Sequence, residues 1–178
     1  MNNATVYSLP ARILHWAMAL LILSLILAGL AMVQSLQVWQ PTLMAIHKSF
    51  GFLALLLVTV RLLVRFVSQP PRLPASLSVP QKRIAHLSHV LLYLAMFAMP
   101  ISGLLMQGAA GRPVEIFGLI TLPSVVPQNL ELYALFRELH GLTAWGLIAL
   151  VLLHIFAALH HGLIRRDSVL NSMLGRKQ

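Results

Sequence analysis

Three long stretches of this chain contain no charged residue, and no other feature constrains its fold as strongly. They cover residues 13–47, 84–111 and 139–164, so the shortest holds 26 residues. A helix needs only about 20 residues to cross the hydrocarbon core of a bilayer. A fourth apolar stretch, residues 46–67, contains Arg61 and Arg65 near one end, where long basic side chains can reach the interface. The pattern predicts transmembrane helices at roughly 9–34, 46–67, 83–107 and 138–164. We do not expect the first to be a removable signal peptide, because its apolar run is too long and no small-residue cleavage motif follows it.

The composition favours a membrane protein over a soluble or nucleic-acid-binding one. Hydrophobic residues make up 58% of the 178 residues and charged residues only 10%, with a mean hydropathy of +0.83. So little polar surface cannot cover a water-soluble globule of this size. The net charge of +9 would suit nucleic acid, but the basic residues lie in short loops and at the C-terminus without interleaved aromatics. We therefore expect an all-α, integral membrane four-helix bundle, formed by one domain over residues 1–178, that contacts lipid and binds no nucleic acid.

The charges between the helices predict their orientation. Basic residues surround the second loop and fill the C-terminal tail: Arg61, Arg65, Arg72, Lys82 and Arg83, then Arg165, Arg166, Arg176 and Lys177 with one acid, Asp167. The third loop and its edges are mixed: Arg112 and Arg137 with Glu115, Glu131 and Glu138. Cytoplasmic loops carry the excess of Lys and Arg. We therefore expect a multi-pass protein of the bacterial inner membrane, with both termini in the cytoplasm and the third loop, a small cap, in the periplasm.

Eight histidines are the most informative polar residues, because ionisable side chains inside a membrane are costly and mark functional sites. Neutral imidazole is a common metal ligand and a standard axial ligand of haem iron. His140 and His154 lie 14 residues apart on the fourth predicted helix. At about 1.5 Å and 100° per residue, they are about 21 Å apart on nearly one face, which suits two stacked haems. The chain has no cysteine, which excludes thiolate ligands and c-type attachment, so the haems are expected to be b-type.

Each of these two histidines needs a partner at its own depth on another helix. His47 opens the second predicted helix level with His140, and His15 lies near the cytoplasmic end of the first, level with His154. The predicted axial pairs are His47–His140 for an outer haem and His15–His154 for an inner one. The sequence leaves open a swap in which His86 or His161 ligates the inner iron. Taken singly, His15 or His47 more often makes an interfacial hydrogen bond, but four histidines at two matched depths favour haem. Zinc or copper is disfavoured because each pair offers two ligands and no carboxylate.

A series of short motifs, nearly from end to end of the chain, resembles the prokaryotic cytochrome b561 family. They are Leu14-His15-Trp16, Ile46-His47 followed by Gly51, Arg61-Leu62-Leu63-Val64-Arg65, Ala85-His86-Leu87-Ser88-His89, Gly111-Arg112-Pro113, Phe117-Gly118-Leu119, Glu138-Leu139-His140, His154, His161 and Arg165-Arg166-Asp167. The resemblance implies a four-helix bundle with two b haems ligated by His15, His47, His140 and His154. It also implies electron transfer from superoxide on the periplasmic side to ubiquinone, the reaction of a superoxide oxidase. One departure is that the family ends its fourth helix with two adjacent histidines, whereas here Gly162 follows His161 at the second position.

Other polar residues surround these predicted sites. Residues expected beside the haem propionates or behind the axial ligands are Arg12, Lys48, Arg61, His86 and His89. Candidates for the quinone site are His161, His86, Lys82 and Arg83. Candidates for steering superoxide electrostatically are Lys48, Arg112 and Arg137. His86 and His89 equally suit interhelical hydrogen bonds, and His161 also suits an ordinary interfacial position.

Two other functions remain open from the sequence. The chain could be a non-enzymatic haem subunit that links a dehydrogenase or hydrogenase partner subunit to quinone and takes electrons from another periplasmic donor. It could also be a transporter or metal permease with histidines along a pathway and no haem. We expect the superoxide oxidase activity, and a purified protein without haem absorption bands would favour the transporter.

Overall fold

A computed structural model describes residues 6–34, 36–68, 70–71, 74 and 76–176. Its four long helices are α1 Leu9–Gln34, α2 Gln40–Val67, α3 Val79–Ala109 and α4 Leu130–Leu159, the last continued by a π-helical turn, His160–Arg165. A hairpin of β1 Val114–Ile116 and β2 Ile120–Leu122 and a short α5, Ser168–Leu174, complete the chain. All four long helices are apolar enough to cross a membrane, as predicted. Arg72 and Lys177, used above for the orientation, lie outside the described residues.

Three of the helices begin earlier than the sequence predicted. They begin at Gln40, Val79 and Leu130, where the prediction had 46, 83 and 138. Proline in the first turn starts α2, a capping box at Ser78 starts α3, and the Asn129 side chain accepts a hydrogen bond from the Leu132 amide at the start of α4. The absence of charge identifies only the part of a helix that can cross a membrane. The first-turn proline of α2 and the caps of α3 and α4 let these helices begin earlier than that part.

The helices pack along the chain order and leave the middle of the bundle loosely filled. The most extensive contacts are between α3 and α4, then between α1 and α2, with α2 on α3 after these. Among the described residues, α4 forms no comparable interface with α1 or α2. Buried apolar side chains are few in that part of the chain, while many Leu, Ile, Val and Phe side chains face outward. An apolar exterior is what lipid requires. Five of the histidines on the long helices are half-buried between them: His15, His47, His89, His140 and His154.

One end of the bundle, here called the tail end, carries the start of α1 and the C-terminal helix. The Tyr7 amide donates to the Ser172 carbonyl at 3.1 Å, and Trp16 Nε1 donates to the Met173 carbonyl at 3.4 Å. The Arg12 side chain lies against Gly175, where α5 ends in a left-handed residue (φ 78°). These contacts hold the N-terminal and C-terminal segments together.

The opposite end, here called the hairpin end, is covered by the strands of the third loop. Ser49 of α2 is buried and accepts a hydrogen bond from the Phe117 amide at 3.0 Å. Its hydroxyl lies 3.4 Å from the Glu115 carbonyl, to which it donates. The rings of Phe50 and Phe117 meet edge-to-face, 5.3 Å between centroids. The hairpin is therefore fastened to α2 two residues beyond His47, although Phe117 has a left-handed backbone (φ 52°) that a bulky side chain rarely adopts.

Candidate functional site

Three histidines from three helices meet near the tail end, and we call them the tail-end cluster. His15 of α1 and His154 of α4 have ring centroids 6.1 Å apart, at an interplanar angle of 67°. His89 of α3 lies 5.7 Å from His154 at 68°. All three side chains are half-buried. The structure thus brings the predicted pair His15–His154 together. It also places His89 slightly closer to His154 than His15 is, although the sequence had placed His89 only behind the ligands.

The spacing of this cluster fits two axial ligands on one iron. A metal–imidazole bond is about 2.0 Å and the ring centre lies about 1.1 Å behind the nitrogen, so trans imidazoles have centroids about 6.3 Å apart. The 6.1 Å between His15 and His154 agrees with this value. Within the described residues, no group of three or more His, Cys, Asp or Glu is arranged to hold a bare metal ion. The donors suit a haem, whose porphyrin supplies the remaining ligands of the iron.

Arg61 of α2 contacts the cluster directly. One of its terminal nitrogens lies 2.9 Å from His15 Nδ1. A guanidinium only donates, so this Nδ1 accepts the hydrogen bond and the neutral ring carries its hydrogen on Nε2. The cationic group of Arg65 lies 5.8 Å from the ring centre of Tyr93 and joins α2 to α3 nearby. Arg61, predicted to lie beside a propionate or an axial ligand, contacts His15 in the structure, and its role towards a haem stays a prediction.

The second pair, His47 of α2 and His140 of α4, lies near the hairpin end. The two imidazoles are close enough to interact electrostatically. Here His140 Nδ1 lies 3.0 Å from the Met99 carbonyl and 3.1 Å from Ser102 Oγ. Because the carbonyl can only accept, the ring hydrogen belongs on Nδ1 and the Nε2 lone pair is left for a metal. The Ser102 hydroxyl donates to the same carbonyl at 2.9 Å, so its oxygen is free to accept from His140.

Glycines allow helix backbones to approach both rings of this pair. A Cβ added to Gly103 of α3 would lie 3.2 Å from His140 Cε1, and one added to Gly29 of α1 would lie 3.6 Å from His47 Cε1. His47 Nδ1 is buried and has no hydrogen-bond partner among the described residues. A buried, unpartnered nitrogen costs about 1–3 kcal/mol. This cost argues that His47 meets a group from outside the chain, as an axial ligand would.

At the tail end, His161 makes a hydrogen bond to Asp167 that the sequence did not reveal. Its Nδ1 lies 2.6 Å from Asp167 Oδ2, and Arg165 Nε lies 3.8 Å from the same oxygen. Asp167 also accepts from the Val169 amide at 3.1 Å and so caps α5. The intervening π-helical turn brings these residues together, and π-turns of this kind are frequent at functional sites.

Gly162 has a steric reason to replace the second histidine of the family doublet. A Cβ at this position would collide with the Leu170 side chain of α5. His160, two residues before Gly162, is exposed. Its ring lies edge-to-face with that of His161, 5.9 Å between centroids. A histidine at 162 would therefore require the Leu170 side chain, or α5 with it, to move.

The predicted quinone candidates separate into two places. Lys82, Arg83 and His86 line one surface groove of about 360 Å³ along α3, together with the apolar residues Val79, Leu87 and Val90. His161 does not line this groove and instead pairs with Asp167. The groove combines hydrogen-bond donors with an apolar wall.

The three basic residues predicted to steer an anion all lie towards the hairpin end. Lys48 is half-buried beside His47, and Arg137 is exposed on the first turns of α4. The Arg112 guanidinium lies 5.4 Å from the ring centre of Tyr133. Of the ion pairs formed by the described residues, none involves these three side chains.

Sequence reasoning missed the residues that support His140. The Met99 carbonyl, Ser102 and Gly103 flank Pro100, a proline inside α3. Pro100 removes the helical donor of the Met96 carbonyl rather than that of the Met99 carbonyl, so the sequence carried no direct signal for this contact. The π-turn that joins His161 to Asp167 also has no signal in the sequence.

Comparison with known proteins gives a consistent result over nearly the whole chain. The family model described as "Prokaryotic cytochrome b561" matches residues 6–176. The chain is 32% identical to "Cytochrome b561 homolog 2" of Escherichia coli (strain K12) over 177 residues, which are 98% of this chain and 94% of the relative. It is 30% identical to "Probable superoxide oxidase CybB" of Yersinia pestis over 169 residues, 93% of each chain. It is 28% identical to "Cytochrome b561 homolog 1" of Escherichia coli (strain K12) over 134 residues, 74% of each.

Proposed function

Because this chain belongs to the prokaryotic cytochrome b561 family, we propose that it carries two b haems and transfers electrons from superoxide to ubiquinone across the inner membrane. The family is one of membrane electron-transfer proteins with b-type haem, and the four apolar helices agree with a multi-pass membrane protein. The observation that carries the proposal is the presence of two histidine pairs, His15–His154 and His47–His140, near opposite ends of one bundle.

In this proposal the four histidines hold the two irons, one pair for each. Bound haem would supply one-electron redox chemistry. If each histidine pair held one haem iron, the substrates would be bound by residues beside the haems rather than by the iron itself. His140 is oriented for ligation by the Met99 carbonyl, which holds the hydrogen on Nδ1. Arg61, at His15 Nδ1, is the cation that a propionate at the tail end would meet.

The hairpin end is the proposed side of superoxide oxidation. Each superoxide anion gives up one electron and leaves as dioxygen. Lys48, Arg112 and Arg137 raise the local concentration of a small anion there, although three glutamates in the same region weaken the field. Exposed charges more than about 10 Å apart are largely screened at 0.1 M salt, so this steering should weaken as salt is added.

The groove on α3 is the proposed site of ubiquinone reduction. Ubiquinone takes two electrons, one from each of two superoxide anions, and two protons from the cytoplasm to give ubiquinol. Lys82, Arg83 and His86 offer hydrogen-bond donors for the quinone oxygens, and the apolar residues of the groove offer contacts for the ring. We propose that the tail end, with both termini, faces the cytoplasm. The Yersinia pestis relative, named as a probable superoxide oxidase, supports the choice of donor.

Stopped-flow mixing of the oxidised, purified protein with superoxide, with and without a short-chain ubiquinone, tests the proposal. We expect rapid appearance of reduced b-type haem bands, followed by reoxidation only when quinone is present. The variant Arg112→Gln should slow the superoxide step, and the difference should shrink at high salt. Arg176→Gln removes the same charge from the exposed tail end and serves as the control.

Two outcomes would contradict the proposal. Haem that superoxide does not reduce, in protein that quinol reduces normally, would identify an electron-carrier subunit rather than a superoxide oxidase. Purified protein without haem bands would refute the cofactor assignment itself.

A further inference from the structure

We propose that His89 is an alternative axial ligand at the tail end, so that His154 can hold a haem iron together with either His15 or His89. The inference rests on the proposed haem binding and adds a ligand to it. A six-coordinate haem iron has two axial positions, and the structure places three imidazoles around them. His154 contacts both of the others, so it is the ligand common to the two arrangements.

Both candidate rings lie near the separation that two ligands on one iron require, His15 more closely than His89. Two trans ligands on one iron place ring centroids about 6.3 Å apart. His154 lies 6.1 Å from His15 and 5.7 Å from His89, with interplanar angles of 67° and 68°. Either ring reaches this separation with a shift of about 0.6 Å or less, which side-chain rotation can supply.

His15 and His89 differ in their hydrogen bonds. Arg61 donates to His15 Nδ1 at 2.9 Å, so the neutral His15 ring carries its hydrogen on Nε2. His15 can offer Nε2 to a metal only after Arg61 has moved to another acceptor. Within the described residues, His89 forms no side-chain hydrogen bond of this kind, so its ligation displaces no guanidinium.

The hairpin end has no third histidine that could replace a ligand. All eight histidines lie in the described part of the chain, and only His47 and His140 lie near that end. Loss of either one leaves a single imidazole there. The two ends of the bundle should therefore respond differently when one histidine is removed.

The test compares purified His15→Ala, His89→Ala, His15→Ala/His89→Ala and His47→Ala proteins in detergent. Haem per chain is measured as the pyridine haemochrome, and the iron spin state by electron paramagnetic resonance. We expect His15→Ala and His89→Ala each to keep two low-spin haems per chain. The double variant should keep one low-spin haem, with the other lost or high-spin, and added imidazole should restore its low-spin signal. His47→Ala should lose one low-spin haem outright.

The haem at the hairpin end reports within each variant that the chain has folded. If His15→Ala keeps that haem but loses the tail-end haem, or holds it high-spin, His89 is not a ligand and the inference is wrong. If wild-type protein holds fewer than two haems, or if His47→Ala still holds two low-spin haems, the proposed pairs fail instead. The two failures are therefore distinguishable.

Discussion

Replacing Gly103 with alanine should weaken haem binding at the hairpin end. An alanine Cβ would lie 3.2 Å from His140 Cε1, closer than an ordinary van der Waals contact, and 3.5 Å from its Nδ1. The ring cannot simply retreat, because its Nδ1 is held by the Met99 carbonyl and Ser102. Overpacking of this kind costs about 1–3 kcal/mol, which is about a 5-fold to 150-fold loss of affinity if the ring must shift to bind haem.

Gly29 provides the matched control. It also lies in a membrane helix opposite a histidine of the same pair, but its added Cβ would lie 3.6 Å from His47 Cε1, an ordinary contact. Both substitutions favour the helix by up to about 1 kcal/mol, since glycine is a poor helix former. Helix stability should thus rise in both variants, while haem affinity should fall only in Gly103→Ala.

The assay is titration of haem-depleted protein with hemin in detergent, followed by the low-spin absorption bands, with thermal unfolding measured by circular dichroism. Wild-type protein and His47→Ala identify the signal that belongs to the hairpin end. Equal haem affinity in Gly103→Ala and Gly29→Ala would refute the argument that the approach of α3 to His140 positions this ligand.

Two further substitutions test how the ends of the bundle are closed. Ser49→Ala removes the hydroxyl that accepts from the Phe117 amide, which should lower the stability of the hairpin by about 1–3 kcal/mol if that amide stays buried. Amide hydrogen exchange over residues 114–122 should then accelerate at least several-fold. Unchanged exchange would show that Ser49 does not hold the hairpin. Gly162→His restores the family doublet but collides with Leu170, so α5 should detach and limited proteolysis should cut after residue 165. Gly162→Ala should show a weaker form of the same effect, and resistance of both variants would contradict the packing described for α5.

Much of the candidate site follows from spacing along single helices. The rise of an α-helix fixes the distance between His140 and His154 whatever surrounds them, so two sites at two depths could be predicted. The positions of His15 and His47 near helix ends then selected their partners. The structure brings His15 to His154 and His47 near His140, and whether these four bind iron stays a prediction.

Other contacts of the candidate site depend on how the helices rotate and approach one another. The position of a residue in the sequence does not give that information. His89 looked like a supporting residue because its depth could be read from the sequence but its rotation towards His154 could not. Arg61 was expected near a propionate, and only packing of α1 against α2 places it on His15 Nδ1. The first turns of α2, α3 and α4 were missed because a first-turn proline in α2 and side-chain caps in α3 and α4, rather than hydrophobicity, determine where these helices begin.

The sequence by itself determined the four membrane-crossing helices, since long stretches without charge have few other stable environments. It also determined the depth of each histidine, because depth is only distance along a helix. Tertiary structure alone decided which rings meet: it placed three at the tail end, paired His161 with Asp167 through a π-turn, and pressed Gly103 against His140. Those contacts depend on helix rotation and backbone approach, and both are set by the packing of whole surfaces rather than by any residue's own preference.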